Sequence, residues 1–178
     1  MRVSVGDVEL EVHDRGEGRP LVALHGGPGL DGSVFEPEQL RTQVTASWER
    51  EATVQTAEEC KRLMGDQLPF HVAEPEGPLV ESLIENDHVV YRPEVLRHFA
   101  TGGEYGLTDL RSELQTFSKP LLVLSGALDR TTPAVAAQEL VDAIPVAEHV
   151  VIDDCAHMIP YEQPEAFLGA LRAFLARV

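Results

Sequence analysis

Three short apolar runs limit the folds open to this chain, and the two runs of four residues are typical of strands buried on both faces. The runs are Leu21–Leu24, Leu121–Leu124 and Val150–Ile152. The second and third belong to a strand–helix–strand–helix pattern, with helices predicted to begin near Pro133 and Pro164. That order is typical of parallel strands joined by right-handed crossovers. We therefore predict an α/β fold with a mostly parallel sheet.

The middle of the chain has a purely helical pattern. Apolar residues recur at helical spacing from about residue 36, and Thr56 to Glu59 form a capping box. This pattern predicts a helical cap subdomain, residues 36–115, inserted into a core made of residues 1–35 and 116–178. Residues 1–14 alternate apolar and polar on either side of Gly6-Asp7, which predicts a hairpin.

Charge and composition exclude several classes of partner. The 178 residues include 14 Lys and Arg against 30 Asp and Glu, a formal net charge of −16. Nucleic acids and anionic membranes need clustered basic residues, so we expect neither as a partner. The amino-terminal residues lack the apolar stretch of a signal peptide, and no run is long enough to cross a bilayer. We therefore expect a cytoplasmic protein.

The loop after the first apolar run could supply backbone hydrogen-bond donors. It contains His25, Gly26, Gly27, Pro28 and Gly29. N–H groups beyond the end of a parallel strand can hold a developing oxyanion, and glycine permits the close approach that this requires. A plain glycine turn is the alternative interpretation.

Asp129 and His157 follow the second and third runs, and a single strand–helix–strand unit separates them. Ends of neighbouring parallel strands meet at one edge, so we expect the two side chains to lie within hydrogen-bonding reach. The carboxylate could then hold the tautomer of a histidine that acts as general acid and base. A helix-capping Asp129 and a surface His157 are the alternatives. We interpret the remaining histidines as surface residues: His13, His71, His88, His98 and His149.

These segments together resemble the α/β-hydrolase family, and more closely its proline iminopeptidase-like branch. The resemblance rests on the H-G-G-P-G loop, the L-x-G-x-x-D stretch ending at Asp129, and A-H-M around His157. Residues Val44–Phe70 look like the helical cap of that branch. The resemblance implies acyl transfer, with a serine nucleophile, a His–Asp pair and an oxyanion held by loop N–H groups. It implies short peptides with a free amino end, or small amides and esters, as substrates.

The family's nucleophile segment is absent from this sequence. No G-x-S-x-G occurs in the 178 residues, and cap-like sequence follows the glycine loop directly. At about 30 residues per strand–helix unit, on the order of 90–100 residues are missing between Phe35 and Glu36. Ser33 and Ser125 are alternative nucleophiles, but neither sits on a strained elbow flanked by glycines. A Cys155–His157 dyad is a third, but neighbours in one loop usually cannot align for in-line proton transfer. An Asp153/Asp154/His157 metal site lacks a ligand from a separate element. We expect no cofactor and no metal.

The missing segment has consequences for activity and for the sheet. We expect a hydrolase-family protein without turnover; the alternatives are a non-catalytic binding module, or a deletion product without selected function. In the complete fold, Leu21–Leu24 and Leu121–Leu124 pair with strands that are absent here. We predict that they pair directly in parallel, which gives a sheet of about five strands. Too few helices would then remain to cover both faces of this sheet. We therefore expect marginal stability or self-association.

Overall fold

A computed structural model describes residues 2–5, 8–11, 38–85, 89–102 and 111–178. Several predictions fall outside these ranges: the strand Leu21–Leu24 and its pairing with Leu121–Leu124, Ser33, and two histidines, His13 and His88. The predicted oxyanion loop also lies outside them, with His25, Gly26, Gly27, Pro28 and Gly29. The hairpin is confirmed, because β1 (Arg2–Val5) pairs antiparallel with β2 (Val8–Glu11).

The helical pattern of the middle segment is confirmed for the residues that the structure describes. It contains α1 (Glu38–Glu51), α2 (Ala57–Gln67), a 3-10 turn (Leu68–His71), α3 (Pro78–Ile84), α4 (Pro93–Gly102) and α5 (Arg111–Leu114). We call these elements the helical block. They include no strand within 38–85, 89–102 and 111–114. The division into a core and an inserted cap stays a prediction.

Capping and aromatic packing fix the helical block locally. The Thr56 hydroxyl accepts a hydrogen bond from the Glu59 backbone N–H, and the Glu59 carboxylate accepts one from the Thr56 N–H, so the predicted capping box begins α2. Val44 and Phe70 are almost fully buried, and Trp48 meets Phe70 edge to face with ring centroids 6.0 Å apart. This packing holds the 3-10 turn that ends at His71.

The carboxyl-terminal part has the predicted parallel arrangement. Strand β3 (Leu121–Gly126) pairs in parallel with β4 (Ala147–Ile152), from Leu121 opposite Ala147 to Gly126 opposite Ile152. Helix α6 (Ala134–Ala143) connects them, and α7 (Ile159–Glu162) and α8 (Pro164–Leu175) follow β4. The prediction that Leu121–Leu124 is a buried strand is wrong. These four residues are half-buried, and the strand that pairs with β3 in the described part of the chain is β4 alone.

A small apolar cluster lies beneath the loop that follows β4. Ile152, Cys155 and Ile159 are buried and pack against residues from β3, β4 and α8: Leu124, Val150 and Phe167. Loop residues 153–158 therefore have an anchored strand end on one side and the start of α7 on the other. This anchoring places His157 at the edge of the sheet where β3 also ends.

Candidate active site

Asp129 and His157 meet at the carboxyl ends of β3 and β4. His157 Nδ1 lies 3.0 Å from Asp129 Oδ2, so the predicted contact is confirmed. The Asp129 side chain is 4% exposed and that of His157 26% exposed. When His157 is neutral, its Nδ1–H donates to the carboxylate, which leaves the lone pair on Nε2. With Nδ1–H held by a buried carboxylate, the free Nε2 lone pair is suited to taking a proton from a hydroxyl.

The turn after Asp129 holds its carboxylate in place. Oδ1 accepts hydrogen bonds from the backbone N–H groups of Thr131 (2.8 Å) and Thr132 (3.0 Å), and Oδ2 accepts one from the Thr132 hydroxyl (2.9 Å). Helix α6 begins after Pro133 and has no side-chain cap. Asp129 therefore shapes the turn between β3 and α6 and does not cap the helix, which removes the capping alternative.

Hydrogen bonds keep Asp129 ionised despite its burial. Burial alone would raise the pKa of this carboxyl, but the bond to His157, the N–H groups of Thr132 and Thr131 and the charge of a protonated His157 together lower it. Asp129 is therefore an anion at neutral pH and can stabilise an imidazolium at His157.

A close backbone approach brings the two loops together. The backbone N–H of Leu128 donates to the carbonyl of Cys155 at 2.8 Å. A Cβ on Gly126 would lie 2.1 Å from the Ala156 carbonyl oxygen, so only glycine fits there. Asp154 has a φ of 50°, in the left-handed region that few residues other than glycine adopt. The end of β3 and the turn after β4 can therefore pass near enough for Asp129 to reach His157.

The interpretation of His71 as a surface residue is wrong. This half-buried residue ends the 3-10 turn of the helical block, and its ring centroid lies 5.3 Å from that of His157. Its Nδ1 is 2.6 Å from the Thr131 hydroxyl, and its carbonyl accepts a hydrogen bond from the His157 N–H at 3.1 Å. Burial, and then the charge of His157, lower its pKa to about 4, although Asp129 acts in the opposite direction. His71 is therefore neutral at pH 7.

Two of the alternative nucleophiles, Ser125 and Cys155, lie in the described part of the chain, and neither hydroxyl nor thiol is bonded to His157 there. Ser125 is buried, and its hydroxyl lies 2.9 Å from His149 Nε2. His149 is half-buried against β3 and α6, so its interpretation as a surface residue is also wrong; His98 is exposed. Cys155 is fully buried, and burial, followed by the charges of Glu162 and Asp129, raises the pKa of its thiol to about 12. A thiol that stays protonated is a poor nucleophile.

The described residues contain no group of three or more histidine, cysteine or acidic side chains that could hold a metal ion. Asp153 and Asp154, two of the residues weighed as metal ligands, are exposed. No helix in the described part of the chain is long and apolar enough to span a membrane.

Comparison with known proteins supports the fold. No family model matches this chain. The structure of an esterase from Thermogutta terrifontis aligns with a TM-score of 0.57 at 23% identity, over 80% of this chain and 52% of the esterase. An alpha/beta fold family hydrolase from Bacillus anthracis aligns with a TM-score of 0.59 at 20% identity, over 80% of this chain and 50% of the hydrolase. This chain has part of the α/β-hydrolase fold. It spans about half the length of these two α/β-hydrolase structures.

A curated protein is similar to a part of this chain. A pimeloyl-[acyl-carrier protein] methyl ester esterase from Vibrio cholerae is 39% identical over 69 residues, which are 39% of this chain and 27% of the esterase. The comparisons thus support the resemblance at the level of the α/β-hydrolase fold.

Proposed function

We propose that Asp129 and His157 are the acid–base part of a hydrolase site for small esters or amides, and that this chain does not turn over such substrates as written. The observation that carries the proposal is the 3.0 Å contact between His157 Nδ1 and Asp129 Oδ2 at the ends of two parallel strands. This arrangement directs the basic Nε2 away from the carboxylate, as a serine hydrolase requires.

The chemistry follows from the groups present and from the one that is missing. In a complete site a serine hydroxyl attacks the ester carbonyl while His157 Nε2 takes its proton, and Asp129 stabilises the resulting imidazolium. Gly26 and Gly27 would supply N–H groups to the oxyanion. Because the sequence has no G-x-S-x-G elbow, we expect no activated serine hydroxyl to face Nε2. Loss of the nucleophile lowers the rate by several orders of magnitude.

Esters are the first substrate class to test, because the V. cholerae relative is named as a methyl ester esterase and the T. terrifontis neighbour as an esterase. The finer proline iminopeptidase-like specificity rests on the H-G-G-P-G loop and on the resemblance of Val44–Phe70 to a cap. Amino-terminal proline amides are therefore the second substrate class to test. The strongly acidic surface suits a substrate with a free, positively charged amino end.

The test compares the chain with His157→Ala and with a matched control, His98→Ala, which removes an exposed histidine of α4. Nitrophenyl acetate, nitrophenyl butyrate and proline nitroanilide are the substrates, and a fluorophosphonate probe reports an activated serine. We expect the same background hydrolysis from all three proteins and no stoichiometric labelling. Turnover that is lost only in His157→Ala, or labelling of one serine, would show that a nucleophile faces the pair.

A second test concerns the gene. Sequencing the genomic DNA between the codons for Phe35 and Glu36 tests whether a segment with G-x-S-x-G, on the order of 90–100 codons long, is missing from this chain. An elbow segment in frame there would give the pair its nucleophile in the longer protein. An uninterrupted reading frame without it would leave the binding module and the non-functional product as alternatives.

A further inference from the structure

One carboxylate holds the backbone on both sides of His157. Glu162, the last residue of α7, accepts hydrogen bonds at Oε1 from the N–H groups of Ala156 (3.1 Å) and Met158 (3.0 Å). Its Oε2 accepts a third hydrogen bond from the N–H of Ala73, at 2.6 Å. The resemblance to α/β-hydrolases assigned no role to this side chain, and no sequence motif identified it.

The Ala73 contact joins the loop of His157 to the helical block. Ala73 lies two residues after His71, whose carbonyl accepts the hydrogen bond from the His157 N–H. The three consecutive N–H groups of residues 156, 157 and 158 are therefore all bonded, the outer two to Glu162 and the central one to the helical block. These three hydrogen bonds fix the position and direction of the Cα–Cβ bond of His157, from which its ring reaches Asp129.

We propose that Glu162 is a positioning residue, which holds the backbone of His157 so that Nδ1 points at Asp129 and which ties this loop to the helical block through Ala73. The inference rests on the proposed function, because it concerns the same His–Asp pair. Hydrogen bonds from backbone N–H groups to an ionised carboxylate are shorter and stronger than those to a neutral acceptor. A carboxylate at position 162 is therefore expected to hold the loop of His157 more firmly than a neutral side chain would.

Two substitutions separate the contact between Glu162 and the loop of His157 from its contact with Ala73. In Glu162→Gln, the amide oxygen can still accept from Ala156 and Met158, but the NH₂ group then faces the Ala73 N–H, donor against donor. Glu162→Ala removes all three backbone hydrogen bonds and the 4.0 Å contact from the Cys155 thiol. Glu165→Ala is the matched control, because Glu165 is exposed in the first turn of α8, three residues further along the chain.

The readouts are the ¹⁵N resonances of the His157 imidazole, which report its tautomer, and amide hydrogen exchange at residues 73, 156 and 158. We expect Glu162→Gln to lose protection at Ala73 alone and to keep the Nδ1–H tautomer. Glu162→Ala should lose protection at all three amides and give mixed tautomers, while Glu165→Ala should match the original chain.

Three results would overturn the proposal. They are an unchanged His157 tautomer in a folded Glu162→Ala, an unchanged Ala73 amide in Glu162→Gln, and failure of Glu162→Gln to fold. If Glu162→Ala does not fold, the amides of Glu162→Gln decide the matter. None of these measurements depends on turnover, so a failure of the hydrolase proposal and a failure of this one would be told apart.

Discussion

Replacing His71 by asparagine should make the stability of this protein less sensitive to mild acid. Asparagine can keep a polar atom near the Thr131 hydroxyl, to which His71 Nδ1 is bonded at 2.6 Å, but it cannot take up a proton. In the folded chain, burial and the neighbouring His157 lower the pKa of His71 from 6.5 to about 4. An unfolded His71 therefore binds a proton at a pH where the folded one remains neutral.

The size and sign of the effect follow from these two pKa values. Between pH 6.5 and 4 the unfolded state binds more protons at this residue, so acid favours unfolding there. At pH 5.5 the cost to the folded state is about 1.4 kcal/mol, and at pH 7.5 it is below ~0.1 kcal/mol. The original chain should thus lose about 1.3 kcal/mol more than His71→Asn between these two pH values.

Urea unfolding followed by circular dichroism at pH 7.5 and pH 5.5 measures this difference. Carboxylates that titrate at lower pH contribute to both proteins and largely cancel in the comparison. His98→Asn shows what loss of an imidazole outside the site does. Equal losses of stability in the original chain and His71→Asn, or an NMR titration of His71 near its ordinary pKa, would refute the reasoning.

Two further substitutions test how the site is built. Gly126→Ala places a Cβ 2.1 Å from the Ala156 carbonyl oxygen and should destabilise the fold by about 1–3 kcal/mol or more in urea unfolding; Gly169→Ala, with nothing within 4 Å, is the control and should be neutral or stabilising. Equal effects of the two would contradict the close approach. Asp129→Asn should shift His157 to the Nε2–H tautomer in ¹⁵N spectra, because the new NH₂ group donates to Nδ1; a retained Nδ1–H form would argue against the observed pairing.

The parts predicted well from sequence are those that depend on local pattern and on topology. Two apolar runs joined by one amphipathic helix led to a parallel pair, and the parallel pair placed Asp129 near His157. The capping box at Thr56 follows from four consecutive residues. Each inference uses neighbours in sequence or a rule that constrains how neighbouring strands connect.

The parts that were missed depend on how distant segments pack. His71 carries no local signal of function, and its position beside His157 comes from the packing of the 3-10 turn against the carboxyl-terminal loops, 86 residues away in sequence. Glu162 likewise looks like an ordinary acidic residue in a short helix. The turn that holds Asp129 was the one missed feature with a local signal, the Thr131-Thr132 pair, because threonines just after an aspartate often donate to it in a turn.

Among the described residues, the hydrogen bonds that hold the His–Asp pair in place come from residues after position 70. The turn at Thr131 and Thr132 holds Asp129, while Glu162 and the carbonyl of His71 hold the loop of His157. The segment expected to carry the serine elbow would fall between residues 35 and 36, so its loss removes none of these hydrogen bonds. An intact His–Asp pair is therefore expected in this chain whether or not a hydroxyl faces it. The geometry of the pair therefore does not report whether a nucleophile is present, which is why the labelling experiment is more decisive than that geometry.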